Sequence, residues 1–275
     1  MTPMILVQIS DPHIRQPGKL AYGQVDTAAA LQRTVAAIQR LPQPANAVVI
    51  TGDLVDFGRP EEYAHLRRLL APLSVPVYLL AGNHDEPMAL RAAFADHAYL
   101  PPTGPLHYAV DLGPLRLIAL DSHQPGCSHG ALDAAQLTWL EQTLADAPEV
   151  PTVIALHHPP FETLIGHMDR IGLREGAAAL EALVRRHPQV ERVICGHLHR
   201  AIERRFGGTL AATCPGTSHQ VCLDLAPQAA SCFALEPPAF RVHAWTAHSG
   251  LVTHLMPVGE FAGPFPFHDA HGLID

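Results

Sequence analysis

Apolar residues gather in short, mostly apolar runs along much of the chain, and most runs end in a polar cluster followed by a stretch with helical spacing. Met4–Ile9, Ala47–Thr51, Val75–Leu80, Thr152–Leu156 and Val190–Cys195 are such runs and predict buried strands. His107–Leu112 and Leu115–Leu120 predict a further pair, turning at Gly113-Pro114. Between them, Ala28–Leu41 puts Leu31, Val35 and Ile38 on one helical face, with Asp26 and Thr27 as capping residues and Pro42 and Pro44 as stops. Glu61–Leu70, Pro87–His97, Ala134–Leu144 and Gly176–Arg186 also read as helices. Strands alternating with helices indicate an α/β fold with substantial parallel pairing, whose sheet needs helices on both faces or a second sheet on one of them. After Phe206 the regularity fades into a segment rich in Pro, Ala and His, with strands predicted at Ala239–Thr246 and Leu251–Met256.

Composition narrows the function classes. At 275 residues, 48% hydrophobic and 16% charged, the chain can build one sizeable core. A formal charge of −8 argues against a stable nucleic-acid complex, which needs clustered Lys and Arg. It does not argue against a small anionic substrate, because bound cations reverse the local field. The five cysteines show no C-x-x-C spacing, so neither a zinc ribbon nor a disulfide framework is expected, and a cytoplasmic location is the simple reading. The stretch from Met1 to Ile9 lacks the basic start and cleavage site of a signal peptide, and no apolar run approaches the roughly 20 residues of a membrane helix. The unusual figure is 19 histidines, residues that both bind metals and titrate near neutrality.

Five strands end in Asp11-Pro12-His13, Gly52-Asp53, Gly82-Asn83-His84-Asp85, His157-His158 and Gly196-His197-Leu198-His199. Ligands of open α/β sheets bind beyond the carboxyl ends of strands, so these clusters converge if the strands share one core. Imidazole, carboxylate and amide oxygen without thiolate suit two borderline metals, and an aspartate can bridge two ions through its two oxygens. Such a pair activates a water, neutralises phosphate oxygens and orients an ester for in-line attack. Each cluster alone has a plain explanation as turn, cap or core chemistry; the ordered set of five does not.

That ordered set resembles the calcineurin-like metallophosphoesterases, and within them the class III cyclic nucleotide phosphodiesterases and the bacterial glycerophosphodiesterase. Further similar blocks are Gly58-Arg59-Pro60-Glu61-Glu62-Tyr63, His157-His158-Pro159-Pro160, Met168-Asp169, Pro215-Gly216-Thr217-Ser218-His219-Gln220 and Ala262-Gly263-Pro264. The resemblance implies a four-layer α/β/β/α sandwich with a C-terminal extension over the site. It divides the chain into a catalytic core, residues 1–206, and a segment, residues 207–275, that holds the remaining core strands and a cap or oligomerisation element. It implies that Asp11, His13 and His199 hold one metal, that Asn83, His157 and His197 hold another, and that Asp53 bridges them. The cofactor implied is two divalent or mixed-valence transition-metal ions per chain, with Fe, Mn, Zn and Co not distinguished. His84 is the phosphate-side histidine, with Asn83 and Asp53 counted with it as catalytic. His84, Asn83 and His219 form the substrate-binding set. Asp85 is open between orienting His84 and capping the next helix, and His158 between packing and supporting a ligand. The segment from Asp11 to Asp26, with Tyr22, and the segment after Gly216 are expected to select substrate. His167, His243, His248, His254, His268 and His271 match no motif and are expected to be exposed or structural, with a few C-terminal ones at the entrance.

The activity implied is hydrolysis of small phosphodiesters, glycerophosphodiesters or cyclic nucleotides, by attack of a metal-bridging hydroxide. The alternatives are a phosphomonoesterase of the same superfamily and a non-catalytic metal-binding scaffold. Against the monoesterases, Asp53 is followed by Leu54 rather than Tyr, and the Gly52–Gly58 block lacks the Arg of phosphoprotein phosphatases. Against the scaffold, no ligand position is substituted. The partners implied are a small phosphodiester and further copies of the chain in a homo-oligomer, dimer or higher, with no membrane.

Overall fold

The computed structural model describes residues 2–274; Met1 and Asp275 lie outside the described residues. Eleven strands build two sheets, and we number them β1 (Met4–Ile9), β2 (Ala47–Thr51), β3 (Val77–Leu80), β4 (Tyr108–Asp111), β5 (Arg116–Ala119), β6 (Thr152–Leu156), β7 (Val190–Cys195), β8 (Glu203–Phe206), β9 (Thr209–Thr213), β10 (Ala239–Thr246) and β11 (Gly250–Pro257). The first sheet runs β11-β10-β1-β2-β3 and the second β8-β9-β7-β6-β5-β4. The centre of each is parallel, and the antiparallel strands β4, β8, β10 and β11 lie towards the edges. Helices α1 (Thr27–Gln39), α2 (Pro60–Leu70), α3 (Pro87–Ala93), α4 (Ala134–Ala145) and α5 (Ala177–Arg186) cover the outer faces.

The alternation of side chains along each strand sets the layers. Ile5, Val7 and Ile9 of β1 pack with Val35 and Ile38 of α1 and Leu66 of α2. Met4 and Leu6 face the other way and pack with Leu117, Val153 and Ile194 of the second sheet. Ile118, Ile154 and Val193 point outward to Leu140 of α4 and Leu183 of α5. The result is the expected α/β/β/α sandwich, and its central strands read as mostly apolar runs because both faces are covered. Gln8 interrupts the apolar layer between the sheets. Its Nε2 donates to Thr51 Oγ1 at 3.1 Å and to the Cys195 carbonyl at 3.0 Å, which ties β1, β2 and β7 together just below their carboxyl ends.

The differences from the sequence expectation are local. β3 begins at Val77 rather than Val75, because Pro76 has no N–H to give to a ladder. α3 stops at Ala93, four residues early. There the chain turns back: His97 N donates to the Phe94 carbonyl, and Asp96 pairs with Arg67 of α2 at 2.6 Å. The β8–β9 hairpin, closed by Gly207 and Gly208, was not predicted; β8 carries three exposed polar residues and lacks apolar alternation. Val221 and residues 231–233 line the site cavity, whereas residues 259–274 are exposed and line no part of it.

Candidate active site

Five of the seven expected ligands adopt left-handed backbone: Asp11 (φ 53°), His13 (φ 44°), Asp53 (φ 49°), His197 (φ 69°) and His199 (φ 49°). Such geometry in residues with a Cβ costs free energy and concentrates at functional sites. Here it turns each side chain back over the strand ends. The loops are locked together: Asp11 N donates to the Gly52 carbonyl at 3.2 Å and His13 N to the Asp53 carbonyl at 3.0 Å. Gly82 and Gly52 allow this crowding, since a Cβ on either would collide with the His157 imidazole.

The side-chain donors fall into two sets around one oxygen. On one side His13 Nε2 lies 3.5 Å from Asp53 Oδ2 and 3.2 Å from His199 Nε2, which is 3.5 Å from Asp11 Oδ1. On the other side His157 Nε2 lies 3.4 Å from Asp53 Oδ2, 3.2 Å from Asn83 Oδ1 and 3.2 Å from His197 Nδ1. Donors held about 2.1 Å from a common ion stand roughly 3.0–3.4 Å from each other, so the spacings fit two metal sites. Both sets share Asp53 Oδ2 alone. Oδ1 accepts the His84 N–H at 2.9 Å.

The outward nitrogens fix the inward ones. His157 Nδ1 donates to the Thr51 carbonyl at 2.8 Å, and His199 Nδ1 to the His219 carbonyl at 3.0 Å. A carbonyl only accepts, so each Nδ1 carries a proton and each Nε2 can turn a lone pair inward. Burial lowers His199 to about 4 and holds His197 well below the usual imidazole range. Neutral imidazole is the form that binds a cation. Burial also opposes a charge on His157, but the Asp53 carboxylate beside it outweighs that and lifts it to about 9. Imidazole nitrogens facing one another at 3.2 Å, with His197 Nε2 buried and unpartnered behind them, make a donor set that a cation, displacing the His157 proton, would satisfy. The residues present therefore fit two metal ions.

His84, half in the cavity, donates from Nδ1 to the Asp56 carbonyl at 2.9 Å. Burial works against its protonation, yet Asp53, the Asp56 carbonyl and the Asp56 carboxylate together raise its pKa. Asp85 neither orients His84 nor caps a helix. It accepts from Leu54 N (3.0 Å), Gly82 N (2.8 Å) and Tyr63 Oη (2.9 Å), and burial raises its carboxyl to about 7. Glu86 is the cap of α3, accepting from Met88 N and Ala89 N. His158 stands behind the set, its Nδ1 2.8 Å from Ser122 Oγ. His219 is buried, with its ring 4.6 Å from that of His199 and its Nδ1 2.9 Å from Ser218 Oγ. Tyr22 leans on it at 5.3 Å and on Phe233 at 5.0 Å.

Two residues were missed by sequence reasoning. Asp56 places Oδ1 3.3 Å from His13 Nδ1 and accepts from Arg15 at 3.1 Å with Oδ2. Its signal was its position three residues after Asp53 in a block already known to carry a ligand. His167, expected to be exposed or structural, lines the cavity. That cavity, about 410 Å³, is walled by both donor sets, His84, His219 and the cover from Val221 to Phe233. None of the C-terminal histidines reaches it: His243 is in the core, and His248, His254, His268 and His271 are exposed. A larger cleft of about 520 Å³ between α2 and α3 is walled mainly by Ala and Arg, with neither carboxylate nor imidazole, and offers no comparable chemistry.

A family model for the calcineurin-like phosphoesterases matches residues 4–201, and the chain belongs to that family. Over 99% of its length it is 38% identical to a probable glycerophosphodiester phosphodiesterase of Arcobacter nitrofigilis, covering 100% of that protein. A glycerophosphodiester phosphodiesterase of Enterobacter lignolyticus is 34% identical over 98% of this chain and 96% of its own. A 3',5'-cyclic adenosine monophosphate phosphodiesterase of Pseudomonas aeruginosa is 32% identical over 86% of this chain and 84% of its own. Among solved structures, a dimetal phosphatase from Danio rerio superposes with a TM-score of 0.62 at 16% identity, covering 93% of this chain and 99% of that one, which shows the shared fold. Among the described residues no helix is long and apolar enough to cross a membrane.

Proposed function

We propose that this protein is a dinuclear-metal phosphodiesterase acting on small diesters, glycerophosphodiesters or cyclic nucleotides. The observation that carries the reading is the pair of donor sets meeting at Asp53 Oδ2 in one cavity. In this reading Asp11, His13 and His199 hold one ion, Asn83, His157 and His197 the other, and Asp53 serves both. When bound, the two ions supply Lewis acidity, lowering the pKa of an attacking water and neutralising phosphate oxygens. Thr51 and the His219 carbonyl keep the ligand tautomers of His157 and His199. His84, held by the Asp56 carbonyl, faces the phosphate and gives a proton to the alkoxide that leaves as the P–O ester bond breaks. Asn83 and His219 complete the phosphate contacts, and inversion at phosphorus yields a phosphomonoester.

The same reading takes residues 1–206 as the catalytic core and residues 207–275 as the segment that completes both sheets and covers the site. It also takes the chain as a homo-oligomer, with the exposed Phe261, Phe265 and Phe267 as the apolar contact. Light scattering of the full chain tests the second point, a monomer mass overturning it. For the activity, initial rates on bis(p-nitrophenyl) phosphate and p-nitrophenyl phosphate are compared on metal-reconstituted protein of known metal content. Two metals per chain with faster diester turnover are expected; faster monoester turnover, or no turnover, overturns the reading.

A further inference from the structure

We propose that Cys222 and Cys232 are a modification site: a thiol pair that closes to a disulfide by exchange with a low-molecular-weight disulfide such as oxidised glutathione, stiffening one wall of the site cavity. The pairing stands on geometry; its effect on turnover rests on the phosphodiesterase reading above. Both cysteines extend a short antiparallel hairpin in which Gln220 pairs with Ala234 and Val221 with Phe233. The register continues to the cysteines, since Cys222 N donates to the Cys232 carbonyl at 3.0 Å. Residues opposed across such a pair send their side chains to the same face with Cα atoms about 5.5 Å apart, the separation a disulfide favours. The thiols meet: a hydrogen bond between them is the first cause that raises the Cys222 pKa.

Access singles this pair out. Cys232 is exposed and Cys222 half-buried, whereas Cys195 and Cys214 lie wholly in the core, where burial raises their thiols. Exchange needs an attacking thiolate with a path to the reagent. Cys232 attacks one sulfur of the small disulfide and releases the other as a thiolate, leaving a mixed disulfide. Cys222 gives its proton to that thiolate and attacks the Cys232 sulfur, and the second thiol of the reagent departs. Two protein thiols are oxidised to one disulfide, and the reagent is reduced to two thiols.

The hairpin is part of the site. Val221, Cys232 and Phe233 line the cavity, and the Phe233 ring packs on Tyr22 at 5.0 Å and on His219 at 5.3 Å. The loop between the cysteines packs little of its own chain, with Leu223 62% and Leu225 55% exposed. Few buried contacts make a segment easy to open. A bridge from Cys222 to Cys232 fixes the backbone beside Val221 and Phe233 and draws the Cys232 sulfur toward its partner. A wall that adapts to the bound diester thereby becomes rigid.

Reduced, metal-reconstituted parent, Cys222→Ser and Cys222→Ser/Cys232→Ser proteins are treated with oxidised glutathione and mapped by peptide mass spectrometry without reduction. The parent is expected to give a peptide joining Cys222 to Cys232, and the single variant to retain one glutathione on Cys232. A parent without the cross-link overturns the pairing. Oxidation is expected to lower the parent's kcat/KM on bis(p-nitrophenyl) phosphate at least about three-fold, chiefly through KM, with recovery after reduction. The double variant is expected to keep its own rate through the same treatment. A cross-linked parent with an unchanged rate, or an equal fall in the double variant, overturns the effect on the cavity. Failure of the reduced parent on this diester overturns instead the phosphodiesterase reading, while the cross-link is still read by mass.

Discussion

On one side of Asp53 stand Asp11, His13 and His199, and on the other Asn83, His157 and His197, so the two sides differ by one carboxylate exchanged for a carboxamide. The first side is also the more enclosed: Asp11 is wholly buried and its two oxygens accept the His197 N–H at 3.0 and 3.1 Å, whereas Asn83 is only half-buried. In the proposed assignment a cation on the first side would meet two negative ligands and on the second side one, the shared Asp53. Ligand charge and rigidity both raise affinity, so on the proposed assignment the second side is expected to be the weaker, more exchangeable one. The lesson is that a site built from near-twin ligand sets need not fill evenly.

The largest effect belongs to the group common to both sides. Asp53→Ala is expected to remove both metals and lower kcat/KM by at least about 10³-fold. Metal analysis and initial rates on one sample check it; full activity with metal retained breaks the shared-site picture. Next comes the asymmetry itself. Asn83→Ala is expected to weaken the second metal by about 10–100-fold and spare the first, while Asn83→Asp tightens it by adding a charge. Calorimetric titration of metal into apoprotein reads two steps, and a variant that shifts both equally would show that the sides are not independent. A smaller loss, about ten-fold in activity, is expected from Asp56→Asn. That change removes the anion facing His13 Nδ1 but keeps the backbone carbonyl that holds His84. The lost carboxylate also helps raise the His84 pKa, so the pH–rate profile separates the two roles: an unchanged shape assigns the loss to ligand orientation on the first side, and a changed shape assigns it to proton donation by His84.

Much of this was legible in the chain. The two-face burial of the central strands leaves mostly apolar runs, broken only by Gln8 in β1 and by Glu191 and Arg192 in β7, and such a run ending in Asp or His marks both a strand and a candidate ligand. What was not legible depends on relations across the fold. Asp85 and Asp56 are both aspartates near a ligand, and only the meeting of the Leu54, Gly82 and Tyr63 donors shows that Asp85 fastens loops while Asp56 faces His13. His167 carries no local signature, because the turn that holds it is placed by Ile165 and Met168 packing on Leu198, about thirty residues away. The β8–β9 hairpin was hidden because an edge strand with exposed Glu203, Arg204 and Arg205 need not alternate.

The smallest expected effect concerns the frame that both sides share. Gln8, beneath them, is itself held by His243, whose Nε2 lies 3.1 Å from Gln8 Oε1 and whose Nδ1 lies 2.8 Å from Thr253 Oγ1. Burial lowers the His243 pKa to about 3, and Arg241 and Arg192 push the same way. The native state therefore keeps this imidazole neutral where the unfolded chain, titrating near 6.5, takes up a proton. The stability it contributes is complete above about pH 6.5 and is lost as pH falls toward about 3, by about 1.4 kcal/mol per unit. His243→Gln can keep bonds to Gln8 and Thr253 without titrating. Between pH 6.5 and 5 the parent is expected to lose about 2 kcal/mol more than this variant. Urea unfolding of both metal-free proteins at the two pH values, with the same denaturant slope, measures the difference. Equal losses in parent and variant would mean that the frame does not sense pH through His243, and that any acid sensitivity arises among the imidazoles around Asp53.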